Sequence, residues 1–154
     1  MKGKPDTPAE LKTRALRYLV RREHSRAELV RKLAPHAESE AALNAIVDLL
    51  LSKKQLSDER FAEERARSLS RKYGAAKIRQ DLKERGVADE IVERVPVEGE
   101  LERARAILQR KYREPALTRE EQAKRARFLQ GRGFSYDTIR GALALSGSTK
   151  FSDE

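Results

Sequence analysis

The chain has 154 residues, of which 38% are apolar, 38% are charged and 5% are aromatic. Cys and Trp are absent, which excludes disulfides, thiolate nucleophiles and Cys-ligated zinc and leaves a core built mostly from aliphatic side chains. Lys and Arg outnumber Asp and Glu by 34 to 25, and the resulting net charge of +9 favours a polyanionic partner.

Helix starts can be recognised along the whole chain. Thr7, Ser25 and Thr118 each stand three residues before a Glu, which is the spacing of a capping box, and acidic residues follow Ser57 and Ser135. Apolar residues recur at helical spacing after these starts. The pattern predicts an all-α chain with helices at 9–23, 25–34, 39–54, 57–72, 74–85, 88–95, 99–113, 119–131 and 135–144.

These nine helices form three triplets that share a repeated phrase. Leu82-Lys83-Glu84-Arg85-Gly86-Val87 is similar to Leu129-Gln130-Gly131-Arg132-Gly133-Phe134, and in both we expect the second-last residue, a glycine, to end a helix in the left-handed conformation. In the first triplet Pro35 ends the corresponding helix after Leu33. The phrase predicts a solenoid-like, elongated array of three three-helix repeats. A compact bundle in which the phrase recurs by coincidence is the alternative.

The predicted boundaries follow from these triplets and from the polar ends of the chain. We predict triplets at 9–56, 57–97 and 98–145, with flexible tails at 1–8 and 146–154. No apolar run reaches the length of a membrane span, and the first residues lack the hydrophobic stretch of a secretory signal. We therefore expect a cytoplasmic protein that is not bound to a membrane.

Residues for catalysis, metal binding or nucleotide binding are not evident. His24 and His36 are the only histidines, and since neither has a catalytic or ligating partner at a diagnostic spacing, we expect both on the surface. Capping and solvation explain the acidic residues, and Gly131-Arg132-Gly133 lacks the Lys-Ser/Thr of a phosphate loop. The sequence predicts a protein without enzymatic activity, cofactor or metal; a hydrolase or nuclease is disfavoured because its metal ions require clustered carboxylates.

The basic residues are the remaining functional signal. Four of them stand one helical turn after a glutamate and are assigned to pairs that we set aside, namely Glu28–Lys32, Glu63–Arg67, Glu120–Lys124 and Glu121–Arg125. Other cations repel one another at helical spacing, which predicts an anion supplied by a partner. These candidate binding residues are Arg14, Arg17, Arg21, Arg79 and Lys83, and the surface is extended by Arg71, Lys72, Arg127 and Arg132.

Sequence-specific reading of DNA is less well supported than contact with its backbone. The third helix of the second triplet, 88–95, presents Asp89, Glu90 and Glu93, which oppose entry into a major groove. The aromatic residues fall close to the apolar stripes, so we assign them to core packing rather than base stacking: Tyr18, Phe61, Tyr73, Tyr112 and Phe128. Salt-sensitive contact with phosphates or an acidic groove fits better.

Several phrases together resemble one protein family. Ala15-Leu16-Arg17-Tyr18-Leu19, His24-Ser25-Arg26-Ala27-Glu28-Leu29 and Asp58-Glu59-Arg60-Phe61-Ala62 resemble the opening of the RecX family, bacterial modulators of the RecA recombinase. Arg71-Lys72-Tyr73-Gly74 and Arg132-Gly133-Phe134-Ser135 look like its central and third-unit signatures. The order and spacing of these phrases carry the resemblance, which covers most of the chain from Ala9 to Leu145.

This resemblance implies both a fold and a function. It implies a curved array of three three-helix units, expected as a monomer, that binds in the groove of the RecA filament on single-stranded DNA. There it usually restrains filament growth, ATP hydrolysis, strand exchange and coprotease activity in DNA repair and the SOS response. The alternative is a stand-alone, sequence-nonspecific DNA- or RNA-binding protein.

Overall fold

A computed structural model describes residues 3–146 of the chain, and within that range every regular element is helical. The all-α prediction is confirmed, and the largest difference in a helix boundary is at the end of α4, predicted at 72 and observed at Leu69. A short 3-10 helix, Ala34–His36, follows α2. The helices are α1 (Pro8–Arg21), α2 (Arg26–Leu33), α3 (Glu40–Ser52), α4 (Asp58–Leu69), α5 (Ala75–Glu84), α6 (Asp89–Arg94), α7 (Glu100–Lys111), α8 (Arg119–Gly131) and α9 (Tyr136–Ser146).

Two of the predicted capping boxes are complete. The Thr7 hydroxyl accepts from the Glu10 backbone N–H at 3.2 Å, and the Glu10 carboxylate accepts from the Thr7 N–H at 2.9 Å. Ser25 and Glu28 make the same reciprocal pair at the start of α2, at 3.0 and 3.2 Å. Each pair satisfies backbone donors that the first turn of a helix leaves free, so the sequence itself fixes where α1 and α2 begin.

The third predicted box is incomplete. The Thr118 hydroxyl accepts from the Glu121 N–H at 3.1 Å, as expected. The Glu121 carboxylate, however, accepts from the N–H of Leu117 at 3.0 Å, one residue before the cap. The helix start is therefore correct, but the reciprocal half of the box is wrong because the carboxylate reaches past Thr118.

The repeated phrase marks equivalent positions of the core. Leu33, Leu82 and Leu129 close the middle helix of each predicted triplet, and all three are 0% exposed. The N–H of Val87 donates to the carbonyl of Leu82 at 3.1 Å, and that of Phe134 donates to Leu129 at 3.2 Å. The same backbone stop therefore ends α5 and α8, which supports a true structural repeat.

Glycines make both stops possible. Gly86 has φ +85° and Gly133 has φ +90°, which confirms the left-handed conformation predicted for them. A Cβ on Gly86 would collide with the side chain of Ala27, and one on Gly133 would collide with Lys77. Each glycine therefore allows the end of one middle helix to approach the first turns of another.

Hydrogen bonds hold these two approaches together. The Ser25 hydroxyl donates to the carbonyl of Arg85 at 2.7 Å, which joins the start of α2 to the end of α5. The N–H of Gly74 donates to the carbonyl of Arg132 at 2.8 Å, which joins the start of α5 to the end of α8. One kind of junction thus occurs twice along the chain.

The chain divides into two compact units, each with its own core. The first compact unit contains Met1–Arg65 and Leu82–Val95, and the second contains Ala66–Asp81 and Pro96–Glu154. The first core consists of Leu11, Ala15, Leu29, Leu33, Leu43, Ile46, Val47, Leu50 and Leu56. The second contains Ala104, Ile107, Leu108, Leu129, Phe134, Ile139 and Ala142.

The predicted tails lie partly outside the described residues, at 1–2 and 147–154. Within the described part, the N–H of Asp6 donates to the carbonyl of His36 at 2.8 Å. The chain is therefore already fixed two residues before α1 begins at Pro8. No helix within 3–146 has both the length and the apolar composition needed to cross a bilayer.

Candidate interface for an anionic partner

The three arginines of α1 differ in their surroundings. Arg14 donates to both carboxylate oxygens of Asp6, at 2.7 and 3.2 Å. This hydrogen bond lowers the pKa of the Asp6 carboxyl and raises the pKa of Arg14. The prediction that Arg14 lacks a counter-ion is wrong, because Asp6 reaches it from outside the helix. Arg17 and Arg21 are exposed and have no ion-pair partner in the described range.

The two predicted cations of α5 are exposed. Lys83 lies 3.9 Å from Asp89, and the two side chains are 57% and 73% exposed. An exposed pair of this kind contributes about 0 to 1 kcal/mol, so Asp89 only weakly satisfies Lys83. Arg79 has no ion pair among residues 3–146. Arg127, on α8, is also exposed.

Three other predicted residues come together in the second compact unit. Arg71 and Lys72 lie in the loop between α4 and α5, and their carbonyls accept from arginines of two other segments. Arg110 donates to the carbonyl of Arg71 at 2.9 Å, and Arg132 donates to that of Lys72 at 3.1 Å. The loop is therefore held between the ends of α7 and α8 by cationic side chains.

Cations and aromatic rings alternate beside this loop. The Tyr73 ring has Lys77 at 5.4 Å and Arg132 at 5.5 Å from its centroid. The Phe128 ring has the same Arg132 at 4.9 Å and Lys111 at 4.8 Å. Lys111 also lies 5.7 Å from the Tyr112 ring, which packs edge-on against Phe128. We define the cation–aromatic row as Lys77, Tyr73, Arg132, Phe128, Lys111 and Tyr112.

A buried arginine supports one end of the row. Arg125 is 7% exposed, lies 4.4 Å from the Tyr112 ring centroid and donates to the carbonyl of Glu114 at 2.6 Å. The predicted surface pair between Glu121 and Arg125 is therefore wrong. Arg125 instead packs inside the second compact unit, where a ring face and a carbonyl dipole satisfy it.

The charges of the row are held in place without being neutralised. Lys77 donates to the carbonyl of Gly131, and Arg132 donates to that of Lys72, both at 3.1 Å. Carbonyls and ring faces orient a cation, but they carry no net negative charge to cancel it. Across 3–146, none of the three cations of the row forms an ion pair. The row therefore presents fixed positive charge to solvent.

Sequence reasoning missed Lys77, Arg110 and Lys111 as parts of this surface. A signal for two of them exists, because Arg110-Lys111-Tyr112 repeats the tripeptide Arg71-Lys72-Tyr73. Arg71-Lys72-Tyr73 follows α4, whereas Arg110-Lys111-Tyr112 spans the end of α7. Arg110 contacts the backbone of Arg71. The repeat thus places two like segments side by side, whereas Lys77 joins them only through the tertiary fold.

A second charged cluster, in the first compact unit, has a buried centre formed by His24, Ser25 and Glu28. His24 is 1% exposed, so the prediction of a surface position is wrong. Its Nδ1 lies 3.0 Å from the carbonyl of Arg22 and must donate to it, which leaves Nε2 to accept from Lys32 at 2.8 Å. The predicted pair of Lys32 with Glu28 is also wrong, since Lys32 binds this ring instead.

Glu28 is the centre of the cluster. Its carboxylate accepts from Arg22 at both oxygens, at 3.0 and 3.4 Å, from Arg85 at 2.8 Å and from the Ser25 N–H of its capping box. These four hydrogen bonds use both carboxylate oxygens for structure. Groups of three or more potential metal-binding side chains are absent from the described residues. The cluster joins the start of α2 to the segment that follows α5.

Comparison with known families covers most of the chain. Residues 12–49 match the model described as RecX, first three-helix domain. Residues 57–95 match the second three-helix domain of RecX, and residues 98–143 match the third. The three domains therefore occur in tandem and in order.

Curated relatives agree with these models. The chain is 44% identical over 148 residues to a protein of Ralstonia nicotianae named regulatory protein RecX, covering 92% of this chain and 93% of the relative. It is 42% identical to a protein of the same name from Leptothrix cholodnii, covering 88% of each chain. A protein of the same name from Neisseria meningitidis serogroup A is 39% identical, and the match covers 93% of this chain and 95% of the relative.

Solved structures share the fold. The crystal structure of RecX from Lactobacillus salivarius superposes with a TM-score of 0.78 at 24% identity, over 90% of this chain and 97% of that one. A second crystal structure, titled regulatory protein RecX, gives 0.73 at 22% identity, over 86% and 71%. With three tandem domain matches and these relatives, the chain belongs to the RecX family of regulatory proteins.

Proposed function

We propose that this protein binds the groove of the RecA filament on single-stranded DNA and lowers its ATP hydrolysis, strand exchange and coprotease activity during DNA repair. The observation that carries the proposal is the ordered match of three RecX domains across 12–143. Relatives of nearly the same length are named regulatory proteins, which supports a role exerted by binding.

The outer face of α1 supports a protein contact. Val20 is 86% exposed and shares a groove of about 390 Å³ with Leu16, Arg17 and Arg21. Apolar surface bordered by unpaired cations suits a protein that offers an apolar residue beside carboxylates. We assign this face to the recombinase, whereas the cations of the second compact unit suit phosphate.

Binding in a groove accounts for regulation without a covalent step. Three domains that each make modest contacts to a polymer reinforce one another through effective concentration. A protein lying across successive subunits opposes both their conformational change and the addition of new subunits. ATP turnover by the filament then falls, although this chain does not touch the nucleotide.

Steady-state ATP hydrolysis by the cognate RecA on single-stranded DNA tests the proposal. We expect hydrolysis to fall at less than one chain per recombinase subunit, because one bound chain restrains several neighbours. Unchanged hydrolysis at equal amounts would reject the proposal. If the chain still bound DNA in that case, the alternative of a stand-alone nucleic-acid-binding protein would be favoured.

Charge-reversal variants test the assigned surfaces. Arg17→Glu with Arg21→Glu should weaken inhibition of hydrolysis, because carboxylates on the recombinase would then be repelled. The matched control is Arg31→Glu with Lys53→Glu, which makes the same charge change at exposed positions outside the proposed surfaces. Arg79→Glu with Lys83→Glu tests α5 in the same way, and undiminished filament binding would remove those residues from the interface.

A further inference from the structure

We propose that the cation–aromatic row is a binding site for the phosphates of single-stranded nucleic acid and that it makes no stacking contact with the bases. The inference deepens the proposed function, on which it rests for the setting in which such a strand is met. It also makes a claim of its own, since it predicts direct binding of the strand in the absence of the recombinase.

The cations of the row each lie close to aromatic rings. Arg132 is near the rings of both Tyr73 and Phe128, and Lys111 is near those of Phe128 and Tyr112. Two neighbouring rings restrict the rotamers of a long basic side chain, so less conformational entropy is lost when a phosphate binds. The rings therefore preorganise the positive charge.

Cations already lie close to each aromatic ring of the row. Each of the three rings has two cations within 6 Å of its centroid: Lys77 and Arg132 at Tyr73, Arg132 and Lys111 at Phe128, and Lys111 and Arg125 at Tyr112. A stacking base would have to displace these cations. Binding platforms for single strands normally leave ring faces open to bases, so this row favours the backbone.

No carboxylate competes for these cations in the described residues. Lys77, Lys111 and Arg132 form no ion pair there, and the hydrogen bonds of Lys77 and Arg132 go to carbonyl oxygens. Arg71 and Lys72 are exposed, and their backbone adjoins the row because their carbonyls bind Arg110 and Arg132. Phosphate is the anion of a nucleic-acid strand that would complete this set of charges.

Binding of the full-length protein to two labelled strands, without recombinase, separates phosphate contact from base contact. An oligothymidylate and an abasic strand of equal length should bind within about twofold of each other in fluorescence anisotropy, because loss of one stacked base weakens binding roughly five- to 150-fold. A much weaker abasic strand, or no binding to either strand, would overturn the inference. Neither result bears on recombinase inhibition, which is measured separately.

Removing charge from the row tests its location. Lys111→Gln with Arg132→Gln should reduce the steepness of log affinity against log salt by about 1.4, since each single-strand phosphate contact contributes about 0.7. The matched control is Arg119→Gln with Lys124→Gln, which removes two exposed cations from α8 in the same compact unit. The control should leave the salt dependence close to that of the wild type. Equal effects of the two variants would show diffuse electrostatic attraction and overturn the site.

A ring substitution tests preorganisation. Phe128→Leu keeps an apolar side chain and the net charge, but it removes the ring that Arg132 and Lys111 contact. We expect affinity for either strand to fall about fivefold, the equivalent of about 1 kcal/mol for a cation over a ring, with the salt dependence retained. Phe128→Tyr should restore binding, and circular dichroism should show equal helix content. Wild-type affinity in folded Phe128→Leu would contradict the role of the ring.

Discussion

The surroundings of Glu28 strongly shift the pKa of its carboxyl. Burial alone would raise the pKa of this carboxyl, but hydrogen bonds from Arg22, Ser25 and Arg85 outweigh burial and lower the pKa to about 2. A carboxyl that is harder to protonate in the folded protein than in the unfolded chain stabilises the fold above the unfolded pKa near 4.5. That stability is lost as pH falls from there towards about 2.

We expect Glu28→Gln to lower the free energy of unfolding near neutral pH by about 2 to 3 kcal/mol, because a neutral amide leaves two arginines without their anion. Urea denaturation followed by circular dichroism measures this change. The difference from the wild type should shrink as the pH is lowered through 4.5, where the wild-type carboxyl begins to lose its advantage. A difference that stays constant with pH would contradict the ionic explanation.

Glu10→Gln is the matched control for the same capping geometry. Glu10 closes the box at the start of α1 but is exposed and has no arginine partner in the described structure. The amide can still accept from the Thr7 N–H, so the loss should be below about 1 kcal/mol.

His24 has a second pH-dependent effect at the residue scale. Burial is the largest cause of its lowered pKa, and the charges of Arg22 and Lys32 act in the same direction. Unfolded histidine takes up a proton near pH 6.5, whereas folded His24 resists it, so stability present above that pH is lost progressively below it.

We expect His24→Asn to remove part of the pH dependence of stability between about pH 7 and about pH 5, a window that lies above the titration of the carboxyls. The asparagine amide can still donate to the Arg22 carbonyl, which keeps one hydrogen bond of the ring. Urea denaturation at several pH values measures the slope. A slope equal to that of the wild type would show that His24 is protonated equally in both states.

At the scale of the elements, the recurring junction depends on the two glycine stops. Gly133 combines a left-handed backbone with close approach to Lys77, and Gly86 does the same with Ala27. The local sequence predicts the stop, since a glycine followed by an apolar residue is typical of it. Which first turn packs against the stop depends on segments more than fifty residues away in sequence.

Gly133→Ala should lower the free energy of unfolding by more than about 2 kcal/mol, because the left-handed backbone alone costs an alanine about 1 to 2 kcal/mol and the Cβ also meets Lys77. Gly131→Ala is the control two residues earlier. It lies at the end of α8 with open space around a new Cβ, and should be neutral or stabilise by up to about 1 kcal/mol. Thermal and urea unfolding of both variants distinguish them, and equal losses would show that the junction tolerates a side chain.

At the scale of the whole molecule, three tandem domains predict a preference for polymers. We expect the affinity for the assembled filament to exceed that for free RecA subunits by about 100-fold or more, because contacts made by linked domains multiply through effective concentration. Sedimentation or anisotropy with recombinase, with and without DNA and nucleotide, measures the two affinities. Equal affinities would show that a single domain contact accounts for binding.

The candidate surface was only partly predictable from the sequence. Arg17, Arg21 and Arg79 are exposed without ion pairs in the described residues, as expected, and Arg71, Lys72 and Arg132 share one site. Whether they bind a partner remains a prediction. Arg14 has a counter-ion in Asp6, and Lys83 has a weak one in Asp89. Helical spacing detects neighbours one turn apart, but it gives no information on residues that reach a helix from outside.

The helix boundaries, to within three residues, and the recurrence of the triplet were predictable from the sequence. Caps, glycine stops and apolar periodicity act over a few residues, so their physics can be read locally. Two contacts became apparent only in the folded chain: Glu28 binds Arg85, 57 residues away, and Arg132 lies near the rings of both Tyr73 and Phe128. Long basic side chains can reach many partners, and only packing selects the partner that the folded chain brings within a few ångströms.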